Sequence, residues 1–577
     1  MTDINWPPFI LFYLAALIIP FAGKHLRSAV LLATPLLGLL LLYFQSGELL
    51  QDNAGLQLIL LGQPLSLYRV DKLSLLFSYI FHIAAFIFAF FSLHLNDKSQ
   101  HCTAMIYVGS AIGAIFSGDL ISLFIFWEII AISSTYLVMA SRTEAAISSG
   151  IRYLIIQLLS GVLLLIGTLL FINETGSSVF SAMALFAVEH PHSPQISAWL
   201  ILVAFGIKCG FPPFHNALTD AYPQSTATGT VYISAFTTIV AVYTLARAFA
   251  GADLLIYVGA AMAIFPIFYA VIENDLRRVL SYSTINQLGF MVCGIGIGTE
   301  LAVNGAVAHA VNNVVFKSLL MMAMGAVLYR VGTVKGSELG GLYKTMPYTT
   351  VFCIIGAAAI SAFPLFSGFV SKAMILSAVL AEQQTIIWLI LLFASAGVFH
   401  HAGIKIPFFA FFGHDSGIRT QDPPKSMLVA MALAAAMCIG IGIFPQTFYE
   451  LLPFSMEYKP YTSHHVLTQL QLLFFSALAF VWLKRLGIYP PELVSSNIDV
   501  EWLYRRLAPK LWLQIQQGLH RAETSVQSMA MKASAELIDA TRSAATENGW
   551  LTGKWKTSSM VMLMVVLFGG LLIYNYL

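Results

Sequence analysis

The sequence predicts an all-α polytopic membrane protein of about 16 transmembrane helices, and three observations lead there. The chain is 58% hydrophobic and only 10% charged, with a mean hydropathy of +0.79; a soluble domain carries about 25% charged residues. Apolar windows long enough to cross a bilayer, for which about 20 residues suffice, recur from one end of the chain to the other. Three ionisable residues, Glu128, Lys208 and Lys372, lie inside such windows. A charge near the bilayer centre costs roughly 2.5–3.5 kcal/mol on insertion scales, so it normally faces a bundle interior or a wet cavity. Residues of this kind mark an ion path.

The windows fall near 8–22, 29–44, 74–94, 104–118, 120–140, 152–172, 197–217, 228–250, 253–272, 283–298, 302–330, 347–381, 386–402, 426–446, 466–486 and 558–577. The twelfth is too long for one straight span and predicts a helix broken at Pro364. Lys208 precedes a break of its own, at Pro212 and Pro213 in FPPF, and Lys372 follows the FPLF of residues 363–366. Broken helices in corresponding places of two halves are the sequence mark of inverted-repeat transporters. The N-terminal segment MTDINWPPFILFYLAALIIPFAG lacks a basic n-region and a small-residue cleavage site, so it is read as a retained first span.

Basic residues set the orientation. Loops after odd-numbered spans hold most of them, among them Lys24, Arg142, Arg277, Arg278, Lys344 and Arg419. Loops after even-numbered spans hold Arg69, Lys72, Arg247 and Lys459 beside acids such as Glu174, Glu189 and Glu450. The positive-inside rule then places the odd loops in the cytoplasm and both termini outside. Between the last two spans, residues 498–556 carry Trp502, Leu507, Leu511, Trp512, Ile515 and Leu519 at helical spacing, with Arg505, Arg506 and Lys510. This segment is expected to lie along the cytoplasmic membrane face as an amphipathic lateral helix, kinked or started by Pro509. A plain tether for the last span is the alternative.

Glu128 has no charged neighbour in its run until Arg142. Paired with a lysine across the bundle it would act as a switch, because a buried lysine's hold on its proton depends on the charge of a nearby carboxylate. The bland alternative is a hydrogen bond to a neighbouring helix. Lys208 is followed by His215 and Asp220, a progression towards the cytoplasmic end. His215 can carry protons near neutral pH or serve as a polar contact at the break; Asp220 is read as an N-cap or turn residue. In the eleventh window His309, Asn313 and Lys317 recur every four residues and share one helix face as a polar stripe. His400 and His401 are read as interface residues rather than path residues.

Five cysteines (Cys102, Cys209, Cys293, Cys353, Cys438) are scattered without a CxxC or His/Cys cluster, so neither a metal site nor a disulfide is expected. There is no GxGxxG after a strand and no Walker motif, so no nucleotide, flavin, quinone or other cofactor is expected. The net charge of +2 singles out no nucleic-acid partner.

FWE (residues 126–128), FGIKCGFPPFHNALTDAYP (205–223), ENDLRRVLSYSTINQLGF (273–290) and FPLFSGFVSK (363–372) occur in that order. Together they resemble the antiporter-like subunits shared by Mrp-type cation/proton antiporters and respiratory complex I, over the central fourteen spans. The resemblance implies two inverted five-helix repeats, broken helices 7 and 12, and a row of buried charges along the membrane midplane. It divides the chain into spans 1–3 (residues 1–103), a first repeat of helices 4–8 (104–252), a second of helices 9–13 (253–404), helices 14–15 (405–497), the lateral helix (498–556) and a final span (557–577). It implies that Glu128 is the helix-five glutamate, Lys208 the helix-seven lysine and Lys372 the helix-twelve terminal lysine. His309 resembles the first histidine of a helix-eleven pair, with Asn313 in place of the second. One departure stands out. TTIVAVYTLAR (237–247) replaces a stretch that usually reads like TKVGVYALLR, so Ile239 occupies the place of a bridging lysine. An isoleucine holds no proton. Either water and polar neighbours such as Thr237, Thr238 and Tyr243 bridge the halves, or this member works differently.

HHAGIKIPFFAFFGHDSG (400–417) looks like a subgroup of bacterial proteins named as the D subunit of a monovalent cation/proton antiporter, while the lateral segment and final span resemble the larger complex I member. The resemblance therefore implies a proton-translocating membrane subunit of a multi-subunit monovalent cation/proton antiporter. Its protons would pass through Glu128, Lys208, His309 and Lys372, with His215 and Lys317 as further candidates. Its partners would be other membrane subunits, with Na+ or K+ as the exchanged ion, and its place the bacterial inner membrane. The runner-up is a proton-pumping subunit of a complex I-like oxidoreductase or hydrogenase, whose redox chemistry would reside in its partners. Two further readings are an energy-coupling subunit for inorganic-carbon uptake and a scaffold whose path has decayed at Ile239.

Overall fold

The computed structural model describes residues 6–52, 56–60, 63–186, 193–489, 497–546 and 555–576, and all sixteen windows are helical in it. The chain is a multi-span, all-helical membrane protein. Residues 1–5 of the first window's segment, Glu189, residues 547–554 of the lateral segment and Leu577 lie outside the described residues.

Among the described residues, eleven helices combine the length and apolarity needed to cross a membrane. The other five windows fall short for physical reasons. Spans 1, 7 and 12 are short helices, Phe9–Ile18, Ile196–Cys209 and the broken pair Pro347–Ile360 and Ser367–Ala381. Lys98–Phe116 and Leu276–Ile297 are long but carry Gln100, His101, Asn286 and Gln287, all buried inside the bundle rather than facing lipid. Between spans 2 and 3 the helical fold gains one small antiparallel pair, Gln57–Leu60 with Gln63–Ser66. Asp119 braces it by accepting the Ser66 N–H at 2.7 Å. Helix starts follow side-chain caps: Asp71 with Ser74 in a capping box, then Asp97, Asp119, Thr143, Thr226, Asp275 and Thr462.

The chain divides into two compact units, residues 1–497 and 498–577. The first is built round Glu300–Val331, buried at every position from 302 to 327 although it carries Asn304, His309, Asn312, Asn313 and Lys317. It packs against Ala227–Ala235, Leu276–Ile297, Pro347–Ile360, Ser367–Ala381 and Lys425–Ile443. Leu254–Ile272 and Leu276–Ile297 approach so closely that a Cβ on Gly289 would strike the backbone of Gly259 and Ala263. Small residues at such crossings let backbones meet where lipid supplies no hydrophobic drive. In the second unit, Ala508–Ala544 continues without a gap from a π-helical turn at Leu503–Leu507, and Pro509 lies where the two meet. The apolar helix Thr557–Tyr576 follows.

Outside the spans, Asp415 accepts hydrogen bonds from Arg419 and Lys344, each at 2.8 Å. The Arg419 guanidinium first, then Lys344 and the Gly417 N–H, hold its carboxyl well below the usual carboxylate range. A depressed carboxylate stabilises the fold above its unfolded value of about 3.9, and this is lost as pH falls through the folded value. The cluster is exposed, so the effect is small and salt-sensitive. Asp415→Asn is accordingly expected to speed hydrogen exchange of the 413–419 loop at pH 7 but not in strong acid; equal exchange at pH 7 would contradict the pinning. Gly289→Val is expected to force the two helices apart at about 1–3 kcal/mol, the usual cost of overpacking. Detergent-purified protein would melt several degrees lower; an unchanged melting curve would show that the crossing is not tight.

Candidate functional site

Trp127 organises the first cluster. Its indole N–H donates to Ser160 Oγ at 2.9 Å, and that hydroxyl donates to the Ala204 carbonyl at 2.7 Å, tying spans 5, 6 and 7 together. The Lys208 ammonium, buried at the end of Ile196–Cys209, donates to the Trp127 carbonyl at 2.5 Å and lies 4.3 Å from the centre of the Trp127 ring. A carbonyl and a π face together replace part of an ammonium's hydration. Glu128, next in the chain, interacts electrostatically with Lys208 but makes no direct ion pair with it. Its Oε1 is buried without a hydrogen-bond partner among the described residues. Room for that oxygen comes from Gly161, where an added Cβ would overlap it.

The second cluster gathers His309, Lys317 and Lys372. Pro364 has no N–H, so the Ile360 carbonyl four residues earlier has no helical partner; Lys372 supplies one at 2.9 Å. The break between these two residues holds Ala362 and Leu365 at φ of 58° and 74°, a left-handed conformation that costs a non-glycine residue about 1–2 kcal/mol. Lys317 donates to Ser283 Oγ at 2.9 Å and the Leu280 carbonyl at 3.3 Å. His309 is held by Ser371 Oγ at Nδ1 (2.9 Å) and Gln287 Oε1 at Nε2 (3.0 Å). Gln287 gives its amide hydrogen to Asn286, so its oxygen faces the histidine. This assigns the hydrogen to Nε2 and leaves Nδ1 to accept from Ser371, the neighbour of Lys372. The charges of Lys317 and Lys372 both bear on His309. The two amide atoms of Asn313 are buried without partners, and such atoms are normally met by water.

No hydrogen bond or ion pair joins the two clusters among the described residues. Between them lies Thr237–Ala248, entered through an interruption at Phe236, with Ile239 fully buried in apolar packing. Of its polar neighbours, Thr237 is engaged by the Tyr107 hydroxyl at 2.6 Å, and Tyr243 is held by Ile115 and Arg247. Thr238 alone keeps a buried hydroxyl without a partner. His215 packs edge-on against Phe265. Asp220 is neither cap nor turn: it sits inside the short helix Asn216–Ala221 and takes a two-point ion pair from Arg152, at 2.7 and 3.1 Å. The following cap is Thr226. His401 is fully buried at a π-helical turn, whereas His400 is half-buried and stacks on Tyr489. Gly161, Ser283, Gln287 and Ser371 were invisible as site residues in sequence, since each is an ordinary helix residue made special by what faces it.

The arrangement defines a class, a multi-span helical membrane protein with ionisable groups held at broken helices. Residues 117–399 match the family described as NADH:quinone oxidoreductase/Mrp antiporter, TM, and in this core the chain is an Mrp/complex I-like antiporter-type membrane protein. It is 26% identical over 468 residues to the D subunit of the Na(+)/H(+) antiporter of Alkalihalophilus pseudofirmus, covering 77% of this chain and 94% of that one. It is 26% identical over 421 residues to the hydrogenase-4 component B of Escherichia coli, covering 65% of this chain and 62% of that longer protein. The structure of the Mrp complex from Dietzia sp. DQ12-45-1b contains a chain of the same fold, with a TM-score of 0.70 at 19% identity, covering 83% of this chain and all of that one.

Gly161→Ala is expected to evict the Glu128 carboxylate from its slot and to slow proton-coupled transport in reconstituted vesicles as far as Glu128→Gln does. The double variant should be no worse than either single change, as for two substitutions acting on one group. Normal flux in Gly161→Ala would show that the carboxylate's position does not matter.

Proposed function

We propose that this chain is the proton-translocating membrane subunit of a multi-subunit monovalent cation/proton antiporter, seated in a bacterial inner membrane with both termini outside. The observation that carries the reading is the pair Lys208 and Lys372. Each is a fully buried ammonium beside a break in its helix, and each is solvated by a backbone carbonyl. Similarity to the Na(+)/H(+) antiporter's D subunit and the shared fold of the Mrp complex chain support it. Other membrane subunits are the proposed partners, and Na+ or K+ the exchanged ion.

In this mechanism the two clusters are the charge-bearing centres of two inverted repeats, helices 4–8 and 9–13. The Glu128 charge sets how firmly Lys208 holds its proton, because an ammonium and a carboxylate in a low-dielectric site stabilise each other's charged forms. In the second repeat, the Ser371 hydroxyl holds His309 Nδ1, and His309, Lys317 and Lys372, whose charges act on one another, share the proton. Passage between the repeats goes through water near Thr238 and Asn313 rather than through a side chain at Ile239. Similarity to hydrogenase-4 component B favours a second reading, a proton-pumping subunit of a complex I-like oxidoreductase or hydrogenase, with the same path driven by a redox partner.

Glu128→Ala and Lys208→Ala should each abolish proton-coupled transport in vesicles holding the complete complex while leaving insertion and assembly intact. Removing one member of a buried pair leaves the other charge uncompensated, typically at about 3–5 kcal/mol. His309→Ala should also be severe, since no lysine stands at position 239 to substitute. Full flux in any of the three, with normal assembly, would overturn the relay.

A further inference from the structure

A cavity of about 70 Å³ starts at Lys372 and runs between Ser367–Ala381, Thr385–Val398 and the first turns of Ser463–Arg485. Its polar lining is Lys372, Ser377, His464, His465, Thr468 and Gln469. A water needs roughly 10–15 Å³ of such space and two or more polar partners, so the cavity has room for several. The helix that brings the two histidines lies outside both proposed five-helix repeats and takes no part in the relay between the two clusters.

The polar groups are ordered from the core outwards. Lys372 donates to the Ile360 carbonyl, and the adjacent Ser361 carbonyl accepts from Gln469 Nε2 at 3.1 Å. His465 stands one turn before Gln469 and His464 one turn before Thr468, so the four share one helix face. At the outer end Ser377 Oγ lies 3.0 Å from the Tyr458 hydroxyl and 3.4 Å from His465 Nε2. His465 Nδ1 is 3.2 Å from the Pro460 carbonyl, which accepts its hydrogen and leaves Nε2 as the basic nitrogen towards Ser377. Exposure rises along the series: Lys372 and Gln469 are buried, His465 is half-buried and His464 exposed. A graded line from a buried ammonium to an exposed imidazole is the shape of a channel mouth.

From this geometry we propose that His465 and His464, with the cavity between them and Lys372, form the mouth of the proton path on the side of the even-numbered loops. The inference rests on the proposed antiporter function. A proton leaving the Lys372 ammonium passes along the cavity waters to His465 Nε2, then by way of His464 to the surface. Each hop moves one proton, leaving its donor one charge lower and its acceptor one charge higher, so no redox partner is needed. Under a reversed gradient the same mouth admits protons.

The test uses the full chain with its co-purifying subunits in vesicles, with Lys372→Ala as reference. His465→Ala should slow proton flux on the order of tenfold or more, as loss of a proton-transfer group does. His464→Ala should slow it less, and imidazole added on the even-loop side should restore flux in His465→Ala but not in Lys372→Ala. A merely structural role would not respond to imidazole. If Lys372→Ala silences transport while His465→Ala does not, the mouth is elsewhere and the antiporter reading stands; if Lys372→Ala transports normally, that reading itself fails. A second arm needs no transport. Thr468→Cys, in a Cys102→Ser background, should react with a membrane-impermeant maleimide from the even-loop side alone; no labelling, or labelling only from the opposite side, would overturn the proposal.

Discussion

An ammonium inside a membrane bundle must find oxygen, and the bundle interior is organised round that need. Four buried lysines solve it alike, with backbone carbonyls. Lys208 takes Trp127, Lys317 takes Leu280 with Ser283, and Lys372 takes Ile360. Lys405 takes the carbonyls of Ala270, Val271 and Glu273, where Leu254–Ile272 ends. A carbonyl dipole lowers the cost of a buried charge without contributing a second titrating group. A lysine held this way can lose its proton and leave no carboxylate stranded.

Two of these oxygens, those of Trp127 and Leu280, lie inside regular helices and offer the second lone pair of a carbonyl already in the ladder. The others come from places where the ladder is interrupted or ends. Pro364 releases the one that Lys372 uses, and the left-handed Ala362 and Leu365 are the conformational cost of that release. Glu128 poses the opposite problem. A carboxylate needs donors, and one of its oxygens has none among the described protein groups. The first cluster is thus an acid–base pair held apart, whereas the second is an all-cationic and neutral set with His309 in a fixed tautomer. Two lysine sites built alike, each at a helix break, sit in different electrostatic surroundings.

Most of the fold was legible in sequence because burial in a membrane bundle writes itself as apolar length. The sixteen windows and the break at Pro364 are local signals. The candidate site was legible wherever a charge stood alone among apolar residues, as Glu128, Lys208 and Lys372 do. It was illegible where function depends on what faces a residue across helices. Gly161 reads as any helix glycine until Glu128 is seen in its groove, and Gln287 as any polar residue until it fixes the His309 tautomer. Asp220 was misread because Arg152, its partner, lies 68 positions away in the chain. Thr237 and Tyr243, credited as bridges past Ile239, are committed to Tyr107 and to Ile115 and Arg247.

The central claim is that Glu128 and Lys208 exchange control of one proton without touching. Infrared difference spectroscopy of the reconstituted protein across a pH gradient measures this directly, because a protonated carboxyl absorbs apart from a carboxylate. The expected result is a carboxyl band that appears and disappears with the gradient, is missing in Glu128→Gln, and shifts its pH response in Lys208→Met. A band indifferent to Lys208→Met, or no Glu128-dependent band at all while transport continues, would contradict it.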